Sequence, residues 1–117
     1  MSDKSNCLFC KIASGEIPSE KVYSDDRVFA FRDINPEAPV HILLVPREHI
    51  PSLAHMSKGN EELAAHMLYC VRKIATDEGL NGGGYRVVTN VGSNGGQTVN
   101  HLHFHILGGR ALTWPPG

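Results

Sequence analysis

The chain has 117 residues, 41% of them hydrophobic and 20% charged, with a formal net charge of −1 at pH 7. This length suits one domain, residues 1–117, and the near-neutral charge argues against a nucleic-acid-binding surface. The N-terminus has no signal-like apolar region, and no run reaches membrane-spanning length, so we expect no membrane contact. The three cysteines are an odd number, which fits a reducing compartment, and we therefore expect a cytoplasmic protein.

The first half of the chain predicts one short helix and three strands. The helix lies in NCLFCKIASGE, with Asn6 as its N-cap and Gly15 just past its end. EKVYSDDRVFAFRDI predicts a hairpin around the turn residues 24–26, and NPEAP is a loop. VHILLVP is apolar throughout, which indicates a central strand.

The second half predicts the one long helix and two more strands. The helix lies in GNEELAAHMLYCVRKIATDEGL, capped by Asn60 and stopped by Gly79. Its residues at helical spacing should face the sheet: Leu63, Met67, Cys70 and Ile74. YRVVTNVG and VNHLHFHIL predict the last strands, joined by the polar loop SNGGQT. Strands that outnumber helices without a βα repeat indicate an α+β fold with a mostly antiparallel sheet.

Three histidines occupy alternate positions in NHLHFHIL. On a strand, His101, His103 and His105 share one face, about 7 Å apart, while the apolar residues between them face the core. Such a row could be a solvated face, a metal site or a nucleophilic site, since one neutral imidazole can attack while another donates a proton.

The loop before the histidines favours the nucleophilic interpretation. It contains Gly95, Gly96, Gln97 and Thr98, whose exposed backbone N–H groups and side-chain donors suit a phosphate. A phosphorus centre needs a nucleophile on one side and donors around its oxygens.

The pattern HLHFHIL resembles the histidine triad (HIT) superfamily. KIASGEIPSEKVYSDDRVFAFRDINPEAPVHILLVPREHI, GYRVVTNVGSNGGQTVNHLHFHILGGR and the ending WPPG resemble its Hint branch, the histidine triad nucleotide-binding proteins. The resemblance implies a HIT fold with a five-stranded, mostly antiparallel sheet, one long helix and one short helix. It also implies a homodimer whose two sheets join.

The resemblance implies hydrolysis of purine nucleoside 5′-phosphoramidates through a nucleotidyl-histidine, without a catalytic metal. His103 resembles the nucleophile and His105 the residue that hydrogen-bonds the phosphate. His101 would orient the site, and His41 resembles a fourth histidine behind the triad.

The resemblance also implies which residues hold a purine nucleotide. Asp33 matches the carboxylate that binds the ribose hydroxyls, and Ile34 a wall of the base pocket. The residues matching contacts to the phosphate or the leaving group are Asn90, Gly96, Gln97 and Thr98. Trp114 matches a residue near the partner's active site. Thr98 replaces a common Ser, which we expect to alter the leaving-group preference. Asn100 replaces an aromatic residue, which we expect to alter the pocket for the substrate's side chain.

Cys7 and Cys10 form a C-x-x-C pair, which could be two helix hydrophobes, a redox pair or half of a structural zinc site. A subset of bacterial histidine triad proteins and the galactose-1-phosphate uridylyltransferases resemble this plan. Their resemblance implies His49 and His101 as the other two ligands of a structural zinc.

Two other functions remain open. One is dinucleoside polyphosphate hydrolysis, since Gln97 lies four residues before His101, as in another branch of the superfamily. The other is a zinc-stabilised interaction module that binds a nucleotide without turnover. His55, His66 and Cys70 lie outside these patterns, and we expect them to be structural or solvated.

Overall fold

The computed structural model describes residues 6–117 and contains one five-stranded sheet in the order β1-β2-β3-β5-β4. The strands are β1 (Lys21–Ser24), β2 (Val28–Arg32), β3 (Val40–Pro46), β4 (Tyr85–Val88) and β5 (Phe104–Gly108). Every neighbouring pair is antiparallel. The α+β fold, the hairpin and the central position of β3 are thus confirmed. Within the described residues, no helix is both long and apolar enough to cross a bilayer.

One face of the sheet is covered by α2 (Glu61–Asp77). The four residues at helical spacing, Leu63, Met67, Cys70 and Ile74, are all at most 2% exposed, which confirms that they face the sheet. They pack against strand side chains that include Ile42, in one continuous core. Burying each large apolar side chain contributes roughly 1.5–3 kcal/mol, so this core is a major source of the stability of the fold.

The opposite face is covered by α1 (Leu8–Ala13). Alternate residues of β2 and β3 point to this side and form a second, smaller core with the helix: Phe29, Phe31, Leu43 and Val45. The N-cap of α1 is Cys7, whose Sγ accepts a hydrogen bond of 3.4 Å from the backbone N–H of Cys10. The prediction of Asn6 as the cap was wrong by one residue, because a thiol takes the acceptor role that sequence rules give to Asn.

The long helix begins after Asn60, but the Asn60 side chain does not cap it. Its Oδ1 instead accepts a hydrogen bond of 2.8 Å from the backbone N–H of Ser57 and closes a short 3₁₀ turn, Lys58–Asn60. Gly79 follows the last turn with φ +76°, a left-handed conformation that glycine adopts without strain. The predicted helix end is therefore confirmed, and the predicted capping bond is not formed.

The last strand is shorter than VNHLHFHIL predicts, since β5 begins at Phe104. In place of ladder bonds, the Leu102 N–H donates to the Ile50 carbonyl at 2.6 Å and the Thr89 hydroxyl to the His103 carbonyl at 2.8 Å. The alternation of side chains nevertheless continues through this segment, because Leu102 and Ile106 are buried in the α2-side core.

The β1–β2 turn is tied to α2 by Asp25. Its Oδ2 accepts hydrogen bonds from the Tyr23 hydroxyl at 2.9 Å and from His66 Nε2 at 2.7 Å. Its Oδ1 accepts from the backbone N–H groups of Arg27 and Val28 at 2.8 and 2.9 Å. Burial opposes ionisation, but these four donors outweigh it and lower the pKa of Asp25 to about 2. His66 therefore has a structural role, as expected.

Candidate active site and metal centre

A cavity of about 340 Å³ lies on the α1 face of the sheet. One end is apolar, formed by α1 and the segment after it, and includes Leu8, Phe9 and Ile12. The rest of the lining includes polar side chains that were predicted from the sequence, Asp33, Thr98, His103 and His105, together with the predicted apolar residue Ile34. The cavity thus has the division into an apolar and a charged end that a nucleotide presents.

The tautomer of His103 follows from its partner. Its Nδ1 lies 2.7 Å from the backbone carbonyl oxygen of His101. A carbonyl oxygen can only accept, so Nδ1 carries the proton and Nε2 keeps its lone pair. His103 therefore has a free nucleophilic nitrogen and lines the cavity.

His105 has the opposite tautomer because of His41. The backbone N–H of Glu37 donates to His41 Nδ1 at 3.0 Å, which leaves the His41 proton on Nε2. That Nε2 lies 2.9 Å from His105 Nδ1, so His105 accepts on Nδ1 and carries its own proton on Nε2. Two neighbouring rings, with centroids 5.0 Å apart, thus offer one lone pair and one N–H.

All three triad histidines are neutral at pH 7. Burial lowers the pKa of His101 and of His105 to about 4, and it also lowers the pKa of His103. A neutral imidazole is the form that acts as a nucleophile or binds a metal ion.

Asp33 and Ile34 lie at the mouth of the cavity. One carboxylate oxygen of Asp33 accepts the Asn35 backbone N–H at 2.9 Å, and the other lies 3.5 Å from His41 Nε2. Ile34 is 90% exposed and lines the cavity, so its side chain is open to a bound ring.

The glycine-rich loop is stabilised by the side-chain amides of Asn90 and Gln97, which were predicted from the sequence to contact the phosphate or the leaving group. Asn90 donates to the Gly95 carbonyl at 2.6 Å, and Gln97 donates to the carbonyls of Pro51 and Val99 at 2.7 and 3.0 Å. Gly96 has φ +76°, so the turn requires it. Of the predicted phosphate contacts in this loop, Thr98 lines the cavity beside His103 and His105.

Four side chains with metal-binding atoms converge behind the triad. His101 Nδ1 lies 3.2 Å from Cys7 Sγ, 3.5 Å from Cys10 Sγ and 3.2 Å from His49 Nδ1. Cys10 Sγ lies 3.3 Å from His49 Nδ1. In a tetrahedral zinc site with bonds of about 2.0–2.3 Å, neighbouring ligand atoms lie about 3.3–3.8 Å apart. The cluster can therefore hold a metal ion, and two sulfurs with two imidazoles are a ligand set that suits zinc.

The tautomer of His101 suits this role. Its Nε2 lies 2.8 Å from the Pro46 carbonyl oxygen and must donate to it, so Nδ1 faces the cluster with a lone pair. A histidine that binds a metal through one ring nitrogen is typically oriented by a hydrogen bond of this kind from its other ring nitrogen.

The apolar end of the cavity was not predicted from the sequence. Leu8, Phe9, Ile12 and Ile17 line it together with Phe31. One feature of the sequence could have predicted it. Leu8 and Phe9 lie between Cys7 and Cys10, whose expected partner His101 is also a triad histidine, so both residues must lie near the triad. Trp114, predicted near a partner's site, is 81% exposed.

Comparisons with known proteins agree with this geometry. The model of the HIT domain family matches residues 14–112. An uncharacterized HIT-like protein of Synechococcus elongatus is 52% identical over 94% of this chain and 96% of its own length. A 14 kDa zinc-binding protein of Zea mays is 48% identical over 98% of this chain and 91% of its own length. The crystal structure of a HIT family hydrolase from Legionella pneumophila covers 96% of this chain and 100% of its own, with 53% identity and a TM-score of 0.94.

Proposed function

This chain belongs to the HIT domain family, and we propose that it hydrolyses the P–N bond of purine nucleoside 5′-phosphoramidates. One observation carries the proposal: His103 and His105 line one cavity as opposite tautomers, one with a lone pair and one with an N–H. Attack on phosphorus needs the lone pair, and the negatively charged oxygens around the phosphorus need the N–H donor.

The substrate is oriented by the two ends of the cavity. The nucleobase packs among apolar side chains that include Leu8 and Ile34, and the Asp33 carboxylate accepts hydrogen bonds from the ribose hydroxyls. The phosphate lies at the polar end, where His105 Nε2–H and the Thr98 hydroxyl donate to its oxygens.

The reaction proceeds in two displacements. His103 Nε2 attacks phosphorus, the P–N bond breaks, and the nitrogen takes up a proton from the solvent, which the second step returns, and leaves as an amine. Water then attacks the phosphorus of the nucleotidyl-histidine, the bond to Nε2 breaks, and the nucleoside monophosphate leaves. Over the cycle one water provides the hydroxyl of the phosphate and the hydrogen of the amine.

The Cys7, Cys10, His49 and His101 cluster is proposed to bind a structural zinc ion. Two thiolates and two imidazoles complete a tetrahedral shell without an open position, so the ion would stabilise the fold and not take part in the chemistry. The name of the maize relative, a zinc-binding protein, supports this assignment.

A homodimer is also proposed. Strand β4 is an edge of the sheet and presents the exposed side chains of Tyr85 and Val87. On α2, Leu68 and Tyr69 are exposed as well. An unpaired edge beside exposed apolar side chains is suited to pairing with a second copy of the chain. A measurement of the molar mass in solution tests whether the protein is a dimer.

The proposed reaction is tested with a fluorogenic adenosine 5′-phosphoramidate. We expect the wild type to release amine and AMP, His103→Ala to lose this activity, and His55→Gln to retain it, since His55 is exposed, its side chain bonds to Ser52 and it does not line the cavity. A folded wild type that cleaves dinucleoside polyphosphates and not the phosphoramidate would refute the P–N assignment. A wild type that binds AMP and cleaves neither would favour the interaction module.

A further inference from the structure

The metal-binding cluster and the nucleotide cavity share one short stretch of chain. Leu8 and Phe9 stand between the two cysteines, and both line the apolar end of the cavity. The sulfur atoms of Cys7 and Cys10 face the cluster, so a single helical turn forms a wall of both sites.

Phe9 connects the two sites physically. It is 4% exposed, and its ring makes edge contacts with His103 and His101, with centroids 5.0 and 6.1 Å apart. It also packs against Phe31, which lines the same cavity, at 5.6 Å. A shift of Phe9 would therefore change the cavity wall and the surroundings of the proposed nucleophile together.

Helix α1 has too little structure of its own to keep this wall in place. It has six residues, and isolated helices shorter than about 12–15 residues are marginal in water. Its end is held by Arg47, which donates to the Ala13 carbonyl at 2.8 Å. At its start, Phe9 packs in the small core, and the two cysteines add contacts to His49 and His101.

We propose that Phe9 is a positioning residue through which the metal centre controls nucleotide affinity. This inference rests on the proposed nucleotide-binding function. A metal ion joining Cys7 and Cys10 to His49 and His101 fixes the turn that carries Phe9, and the ordered wall binds the nucleobase. Because coupling between two sites is reciprocal, a bound nucleotide must strengthen metal binding by the same factor.

The first test measures the dissociation constant of AMP for zinc-loaded and chelated protein by calorimetry. We expect metal removal to weaken AMP binding about tenfold, within the roughly 5- to 150-fold range of coupled sites. Phe9→Leu should abolish most of this difference. Phe29→Leu is the matched control, because Phe29 lies in the same small core but does not line the cavity, and it should keep the difference.

Equal AMP affinity in zinc-loaded and chelated wild type would overturn the coupling while leaving the proposed function intact. No AMP binding by zinc-loaded protein would overturn both. If the chelated protein unfolds, zinc affinity is measured on the loaded protein by competition with a chelating dye. AMP should raise zinc affinity about tenfold, and ribose 5-phosphate, which lacks the base, should not. An equal effect of both ligands would contradict the role of Phe9.

Discussion

The backbone carbonyl oxygen of His101 accepts a hydrogen bond of 2.7 Å from His103 Nδ1, while the His101 side chain belongs to the metal-binding cluster. One residue thus sets the tautomer of the proposed nucleophile and provides a candidate metal ligand. The two sites are adjacent because the carbonyl group that contacts His103 and the imidazole that belongs to the cluster are parts of the same residue, His101.

The metal centre is expected to stabilise the fold. Cys7→Ser/Cys10→Ser should lose the bound zinc, and the free energy of unfolding should fall by about 4 kcal/mol at a zinc concentration 1,000 times the dissociation constant. Metal content and urea denaturation check this. Cys70→Ala is the control, since Cys70 lies outside this cluster and should leave one zinc per chain. Full zinc retention by the double variant would contradict the assignment.

His41 is expected to act through His105. His41→Phe removes the Nε2–H that donates to His105 Nδ1, so this hydrogen bond no longer fixes the His105 proton on Nε2. We expect kcat to fall on the order of 10²-fold with a smaller change in KM. His41→Gln, whose amide can still donate, should recover part of kcat. Steady-state kinetics measure both, and an unchanged kcat in folded His41→Phe would show that the tautomer does not matter.

Stability is expected to fall on acidification because of His105. Partial burial holds the folded pKa of His105 at about 4, below the 6.5 of an unperturbed histidine. Between these pH values the unfolded chain binds more protons than the folded chain. His105 therefore leaves the free energy of unfolding unchanged above pH 6.5 and lowers it as the pH falls towards 4. His105→Asn should lose less stability between pH 7.5 and pH 5 than the wild type, as measured by urea denaturation. Equal losses would exclude His105 as a cause.

Asp25 is expected to contribute to stability and not to activity. Asp25→Asn leaves the donors of Tyr23 and His66 poorly paired, so we expect a loss of about 1–3 kcal/mol. The wild-type contribution is present above the ordinary Asp pKa of 3.8 and is lost as the pH falls to about 2. Denaturation of Asp25→Asn, His66→Gln and the double variant measures the coupling, and additive losses would mean that the pair does not interact. Phosphoramidate turnover by folded Asp25→Asn should match the wild type.

The sequence determined which side chains share a face. Apolar residues at helical spacing in α2 were sufficient to predict which side of that helix faces the sheet, because side-chain direction depends on local backbone geometry. The second core, on the α1 side, was not predicted. The same rule places Leu102 and Ile106 in the core and the histidines opposite, although the ladder of β5 begins only at Phe104. The residue types of the cysteine pair and the triad likewise indicated their chemistry.

Only the tertiary structure decided the tautomers, the extent of β5 and the wall that Phe9 forms. Each depends on groups that are distant in sequence: the Ile50 carbonyl for the segment before β5, and Glu37 with His41 for His105. The candidate metal ligands come from the start of α1, from the segment after β3 and from the segment before β5, and they meet only once the sheet has formed. A pattern of residue types does not predict such contacts, because they depend on tertiary packing and not on local backbone geometry.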